Sequence, residues 1–148
     1  MEKLLVYSFR TNKHIVAFKE AEIDVFVLGK LKEDMAKLVE LIEKRQPARV
    51  IGVAEIKTKS RFESVAINSF GPKGKVNRRG KKSYALYIPK SPIFHVSKIP
   101  TRSFCNWAMY KVSEAIGSRG VRHSFVHFNR GDIPALIKDI MSACKENP

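Results

Sequence analysis

A cysteine and a histidine in this sequence stand where a nucleophile and its base could meet. The run SFCNWAMY, from Ser103 to Tyr110, predicts the opening of a helix with Cys105 in its first turn. The run HSFVHF predicts a strand that carries His127. The thiolate is the attacking form of cysteine, and a histidine within hydrogen-bond reach would take the thiol proton. The pattern therefore indicates acyl transfer by a cysteine nucleophile.

The residues just before Cys105 favour its ionisation. Thr101 or Ser103 can cap the helix, and Arg102 adds positive charge nearby. Because the free N–H groups and the dipole at a helix start favour negative charge, we expect the pKa of the Cys105 thiol to be lowered. An alternative stays open, since an unpaired cysteine is more often a small buried hydrophobic residue than a nucleophile.

A resemblance adds a third residue to this pair. The segments SFCNWAMYKVSEAI and HSFVHF resemble the surroundings of the catalytic cysteine and histidine in the pyrrolidone-carboxylate (pyroglutamyl) peptidase family. An upstream family motif, G-x-A followed by E-R-[VI]-A-x-N, resembles Gly52–Ala54 and Glu63–Asn68 here at matching spacing. The resemblance implies that Cys105 is the nucleophile, that His127 is the base and that Glu63 orients the imidazole.

The resemblance covers about residues 22–70 and 84–142 and departs from the family at the substrate pocket. Family members carry an aromatic, glycine-rich loop after the first strand, and its rings help to form the pyroglutamate pocket. Here the run LLVYSF leads into a short polar stretch instead. Phe9 and Phe104 are the substrate-binding candidates that remain, and Lys73 is the candidate for the family's oxyanion-stabilising arginine. The resemblance thus implies a cysteine peptidase, a thiol-dependent amide hydrolase with altered or lost specificity.

The elements that must position these residues alternate between strand and helix. Apolar runs predict buried strands at Leu4–Phe9, Ile23–Leu28 and Arg49–Ala54. Apolar positions spaced by three and four predict an amphipathic helix at Leu31–Arg45. This order predicts a largely parallel sheet with crossover helices. The resemblance implies the same class: an α/β, three-layer α/β/α sandwich of the pyroglutamyl-peptidase-like (phosphorylase/hydrolase-like) type.

The later part of the chain is predicted to be less regular. Glu63 lies in an extended segment, Gly71–Lys82 is a basic loop, and YALYIP and IFHV are two further strands. Pro134 suits the first turn of a last helix, with Asp132 as its cap. The inner face of that helix is predicted to hold Leu136, Ile137, Ile140, Met141 and Cys144. A packed Cys144 and an ionised Cys105 together predict that iodoacetamide labels Cys105 first.

Composition sets the remaining limits. A chain of 148 residues with 44% hydrophobic content is predicted to form one domain over residues 1–148. Apolar runs are too short for a membrane span and no signal peptide is visible, so we predict a cytoplasmic protein that does not enter membranes. The two cysteines form no disulfide framework. We expect a small peptide or amide substrate and no cofactor or metal, and homo-oligomerisation stays open.

The charge balance supports a second hypothesis of a different class. The formal net charge is +14, enough for weak binding to nucleic acids or other polyanions. Two basic clusters could neutralise phosphates without reading bases: Lys57, Lys59 and Arg61, and Lys73, Lys75, Arg78, Arg79, Lys81 and Lys82. The alternative function is therefore a non-catalytic basic nucleic-acid-binding module on the same fold. A steep salt dependence of affinity would distinguish it from the hydrolase.

Overall fold

The computed structural model describes residues 3–145 and contains a central sheet of six strands. Eight strands occur in chain order: β1 (Leu4–Phe9), β2 (Val25–Leu28), β3 (Arg49–Glu55), β4 (Arg61–Glu63), β5 (Val65–Ile67), β6 (Ser83–Ala85), β7 (His95–Ser97) and β8 (Arg122–Phe128). The central sheet has the order β2-β1-β3-β8-β4-β7, while β5 and β6 form a separate antiparallel pair. Strands β2, β1, β3 and β8 are parallel, and β4 pairs antiparallel with β8.

Four α-helices cover the two faces of this sheet. They are α1 (Ile15–Glu20), α2 (Leu31–Arg45), α3 (Phe104–Ile116) and α4 (Ile133–Lys145). Because neighbouring side chains of a strand point to opposite faces, Leu5 and Tyr7 pack with α2 and α3, whereas Val6 packs with α1 and α4. The predicted three-layer α/β/α sandwich with a mostly parallel sheet is confirmed.

The agreement is best in the first half of the chain, where the hydrophobic periodicity is strong. The predicted helix at Leu31–Arg45 has the bounds of α2, and the first strand has those of β1. Two features were missed. Helix α1 lies in a polar stretch for which the sequence predicts no helix or strand. The antiparallel direction of β4 depends on its pairing with β8, a strand far along the chain.

Pro134 lies in the first turn of α4, as predicted, but Asp132 is not the cap at this end of the chain segment. A 3-10 helix at Arg130–Asp132 runs directly into α4. Its cap is Asn129, whose side chain accepts a hydrogen bond from the Gly131 backbone amide at 3.0 Å. Asp132 instead accepts a hydrogen bond from Ser60 Oγ at 2.6 Å. The carboxylate is therefore used in a tertiary contact that local spacing does not reveal.

The predicted inner face of α4 is also partly wrong. Leu136 and Ile140 are fully buried, as expected, and Ala143 is buried with them. Met141 is 43% exposed, and Cys144 is exposed. The buried stripe therefore covers a narrower part of the helix than its apolar residues suggest. No helix within residues 3–145 is long and apolar enough to cross a bilayer.

Candidate active site

Two of the predicted site residues meet on adjacent strands of the central sheet. His127 lies near the end of β8, Glu63 ends β4, and the strands pair with Arg61 opposite His127. The Nδ1 atom of His127 is 3.0 Å from Oε1 of Glu63. Since an ionised carboxylate only accepts hydrogen bonds, Nδ1 carries the proton and donates it. Both residues are buried, with 4% and 1% of their surface exposed.

Glu63 is held as a carboxylate by two donors. Arg61 Nε donates to the same Oε1 atom at 2.7 Å. Burial by itself would raise the pKa of the Glu63 carboxyl, but the hydrogen bonds from His127 and Arg61 outweigh it and leave that pKa below its ordinary value. Glu63 is therefore ionised at neutral pH.

Arg61 was not among the predicted site residues, because sequence analysis placed it in an exposed basic cluster. Its side chain is 25% exposed and turns toward the Glu63 carboxylate. The other members of the two clusters are exposed. A signal for the correct placement was present, since residues i and i+2 of a strand point to the same face of a sheet. Arg61 and Glu63 have that spacing.

Cys105 is the second residue of α3, as predicted. Ser103 rather than Thr101 is the helix cap, and its Oγ accepts a hydrogen bond from the Cys105 amide at 3.3 Å. The predicted lowering of the thiol pKa is wrong. Burial raises the pKa of Cys105 to about 12, a hydrogen bond with the Ser103 side chain offsets part of this, and the charge of Glu63 adds to it. The resting thiol is therefore protonated at neutral pH.

Cys105 and His127 are connected through the charge of Glu63 and through a series of aromatic contacts. The charge of Glu63 acts on the thiol, and a series of ring contacts connects the two segments. These contacts are Phe104–Phe9 at 5.0 Å, Phe9–Phe125 at 6.2 Å and Phe125–His127 at 5.1 Å between ring centroids. Within residues 3–145, no hydrogen bond joins the Cys105 thiol to His127. The Nε2 atom of His127 therefore has no hydrogen-bond partner among residues 3–145.

Asn106, next to Cys105, ties the two halves of the site together. It is fully buried. Its Oδ1 accepts a hydrogen bond from the Ile67 amide at 2.9 Å, and its Nδ2 donates to the carbonyl oxygens of Ile67 and Ser69 at 2.9 and 2.8 Å. These bonds fasten β5, which closely follows Glu63, to the first turn of α3. Sequence reasoning missed this role because the partners lie far apart along the chain.

Several solved structures share this fold over nearly the whole chain. The pyroglutamyl peptidase I from Bacillus amyloliquefaciens superposes with a TM-score of 0.73 at 19% identity, covering 98% of this chain and 96% of the other. The pyrrolidone carboxyl peptidase from Thermococcus litoralis superposes with a TM-score of 0.71 at 18% identity, covering 98% and 92%. A mutant pyrrolidone carboxyl peptidase from Pyrococcus furiosus gives a TM-score of 0.72 at 15% identity, covering 95% of each chain.

The fold is that of the pyrrolidone carboxyl peptidases. The family resemblance drawn from the residues is thereby confirmed at the level of the fold. No protein-family model and no curated protein sequence matches the chain.

On this pyrrolidone carboxyl peptidase fold, the two predicted substrate-binding aromatic residues differ in exposure. Phe9 is 2% exposed and packs edge-on beneath Phe104, which is 36% exposed. Of these two residues, Phe104 alone has an exposed ring surface. Lys73, the predicted oxyanion residue, is exposed and forms no hydrogen bond or ion pair with residues 3–145. Its loop reaches the start of α3, since the Gly71 amide donates to the Arg102 carbonyl at 3.2 Å.

Histidine, cysteine and acidic side chains are the usual protein ligands of a metal ion. Within residues 3–145, no group of three or more histidine, cysteine or acidic side chains has a suitable arrangement.

Proposed function

We propose that this chain is a divergent member of the pyrrolidone carboxyl peptidase family and acts as a cysteine-dependent amide hydrolase. The observation that carries the proposal is the buried hydrogen bond from His127 to the ionised Glu63, formed beside a helix whose second residue is Cys105. A buried carboxylate that orients an imidazole near a thiol is the arrangement that nucleophilic catalysis requires. The fold shared with known pyroglutamyl peptidases supports the same conclusion.

His127 acts first as a general base in this proposal. Because the pKa of Cys105 is about 12, the thiol loses its proton as attack begins rather than beforehand. A rotation about the Cys105 side chain brings Sγ toward Nε2, which takes the proton while sulfur bonds to the substrate carbonyl carbon. Glu63 accepts the Nδ1 hydrogen bond throughout and stabilises the imidazolium that forms.

The second half of the reaction reverses the direction of proton transfer. The imidazolium of His127 donates its proton to the leaving amine, so that the amide C–N bond breaks and a thioester to Cys105 remains. Water then attacks the thioester with His127 as base, which releases the acid and restores the thiol. Backbone amides in the first turn of α3 stabilise the oxyanion in both steps. Arg61 serves as a positioning residue, since it holds Glu63 in its ionised form.

The proposed substrate is a small peptide or amide. Pyroglutamyl compounds are not expected to be cleaved efficiently. Strand β1 ends at Phe9, and α1 starts at Ile15, so a short connection replaces the aromatic loop expected of the family. Phe104 is left to supply the apolar contact with the acyl group. Binding energy for a pyroglutamyl ring is correspondingly reduced, and turnover of pyroglutamyl-naphthylamide should be weak or undetectable.

A reactive ester tests the nucleophile without requiring the natural pocket. In a Cys144→Ser background, p-nitrophenyl acetate should acetylate Cys105, and peptide mapping by mass spectrometry locates the acetyl group. Cys105→Ser should abolish the rapid release of nitrophenol, and a panel of acyl-naphthylamides then identifies the preferred acyl group. Slow release at a rate that Cys105→Ser leaves unchanged would refute the proposed nucleophile.

A further inference from the structure

Strand β2 forms one edge of the central sheet. Among the residues that the structure describes, its only neighbouring strand is β1. Native sheets usually protect such an edge with a charged side chain, a proline or a bulge, because its free backbone groups pair readily with another strand. The strand Val25–Leu28 contains only apolar residues, and Val27 within it is 36% exposed. Strand β2 is therefore suited to pairing with a further strand.

The apolar surface at this edge extends beyond the strand. A concave region of about 640 Å³ runs beside β2 and is lined in part by Leu41 of α2 and Met141 of α4. Met141 is 43% exposed. Apolar side chains from several elements that meet at one exposed place are typical of a surface that contacts another protein.

The charges that flank β2 indicate which partner fits. Asp24 precedes Val27 by three residues, and Lys30 follows it by three. Glu22 and Lys32 lie five residues before and after Val27. All four charged side chains are exposed. In an antiparallel pair of β2 strands with a two-fold axis at Val27, each residue faces the one at the same distance on the other side of the axis. Asp24 of one copy then faces Lys30 of the other, and Glu22 faces Lys32.

A parallel pair of β2 strands fits these charges poorly. In register, it would place Asp24 against Asp24 and Lys30 against Lys30, and like charges directly opposite each other destabilise a sheet. Within the chain, Lys30 lies 3.9 Å from Glu33, but these side chains are 81% and 71% exposed, and such a pair contributes little. The net charge of +14 opposes association in general, so a contact between copies needs opposite charges at short range.

We propose that two copies of this chain pair through β2 as an antiparallel, two-fold dimer whose sheet runs continuously across the interface. Because only four residues of each copy pair along the backbone, we expect a reversible dimer that dissociates on dilution. Strands β1 and β3 separate β2 from β8, which carries His127. The proposal therefore stands whether or not the chain is an amide hydrolase.

Analytical ultracentrifugation over about a hundredfold range of protein concentration tests the dimer. The wild type should change from monomer to dimer as the concentration rises. Val27→Lys places two lysines against each other at the two-fold axis and should weaken association at least about tenfold. Ile99→Lys adds the same charge to a 79% exposed apolar residue just beyond β7, at the opposite edge of the sheet. This control should stay within about twofold of the wild type.

Exchange of the flanking charges tests the register of the two strands. Asp24→Lys and Lys30→Asp change the net charge in opposite directions, yet each should weaken the dimer about threefold or more. The double variant Asp24→Lys/Lys30→Asp keeps the wild-type net charge and should restore the wild-type affinity, which a folding defect would not allow. Amide hydrogen exchange at Val25–Leu28 should slow as the dimer forms.

Three results would overturn the proposal. The first is a wild type that stays monomeric at every concentration. The second is a Val27→Lys variant that associates as tightly as the wild type. The third is a double charge variant that associates no better than the two single ones.

Discussion

The two ends of β8 carry two buried histidines that have different hydrogen-bond partners. His123 and His127 are i and i+4 on this strand, and 5% and 4% of their surfaces are exposed. His123 contacts only neutral hydroxyls: Tyr7 Oη is 2.9 Å from its Nε2, and Ser113 Oγ is 3.0 Å from its Nδ1. His127 instead donates to the ionised carboxylate of Glu63.

The difference shows that the partner, and not burial, selects the role of each imidazole. Burial lowers the pKa of His123 to about 3, and no carboxylate compensates, so this side chain stays neutral and serves the core. Both of its nitrogens are occupied. His127 has one nitrogen fixed by Glu63 and one that remains for proton transfer. Residue type and burial, which the two histidines share, therefore do not identify a base.

Gly52 is one reason that the His123 network can form. It lies on β3 between Tyr7 of β1 and Phe125 of β8 in the sheet. A Cβ at this position would lie 2.5 Å from Tyr7 Cζ and 2.5 Å from Phe125 Cδ2. Only glycine lets the Tyr7 ring cross the strand and place its hydroxyl against His123.

The largest expected effect separates the two histidines by function. His127→Ala should reduce the rate of Cys105 acetylation by p-nitrophenyl acetate by about 10³-fold, in line with the loss of a general base. His123→Gln should lower stability, since two buried hydroxyls lose their partner, but should keep the acetylation rate per folded molecule. Folded fractions are measured by circular dichroism. A comparable loss of rate in folded His123→Gln would break the comparison.

The next effect tests the carboxylate. Glu63→Gln keeps the side-chain shape but removes the charge, and we expect the acetylation rate to fall by about 10²-fold, less than for the nucleophile. A second histidine–carboxylate pair provides the control. His14 Nε2 lies 2.7 Å from Glu55 Oε2, on partly exposed side chains. Glu55→Gln should leave the rate unchanged, and equal losses in the two variants would show that Glu63 has no special role.

Cysteine labelling tests whether the proton of the Cys105 thiol has moved to His127 before any substrate binds. At neutral pH, iodoacetamide should label the exposed Cys144 at least about tenfold faster than Cys105, whose pKa is about 12 and which is 5% exposed. This order is the reverse of the one expected from sequence. His127→Ala should leave the slow labelling of Cys105 unaltered. Faster labelling of Cys105, slowed by that variant, would instead indicate a preformed thiolate–imidazolium pair.

The smallest effect concerns stability in acid. The pKa of His123 is 6.5 ordinarily and about 3 when folded, so the folded state binds fewer protons between these values. Its contribution to stability is complete above pH 6.5 and is lost toward pH 3, at up to about 1.4 kcal/mol per pH unit. Glu63 has a pKa lowered from 4.5, so its contribution is lost only below that pH. Urea unfolding between pH 6.5 and 4.5 therefore measures the contribution of His123 without that of Glu63.

Matched variants show whether the slope belongs to His123. His123→Gln should flatten the dependence of unfolding free energy on pH in this window. His95→Gln changes an exposed histidine at the start of β7 and should leave the slope as in the wild type. An unchanged slope in His123→Gln would mean that other groups take up the protons.

The sequence by itself determined the sandwich, most of the element positions and the residues at the candidate site. The spacing of apolar residues identifies these helices from the local sequence, because the apolar face of a helix has to pack on the sheet wherever the helix lies in the fold. The resemblance named Cys105, His127 and Glu63, and the structure places Glu63 3.0 Å from His127. Helix α1 is the exception, a short segment in which a single buried residue, Phe18, leaves little periodicity to detect.

Only the tertiary structure decided which charges meet and what they do. Glu63 bonds to His127 because β4 lies antiparallel against β8, and the thiol of Cys105 keeps its proton because the fold removes it from water. The direction of a pKa shift depends on desolvation and on charges brought in from distant segments. Neither quantity is contained in the local order of residues, which is why the position of Cys105 at a helix start was predicted correctly and the protonation state of its thiol wrongly.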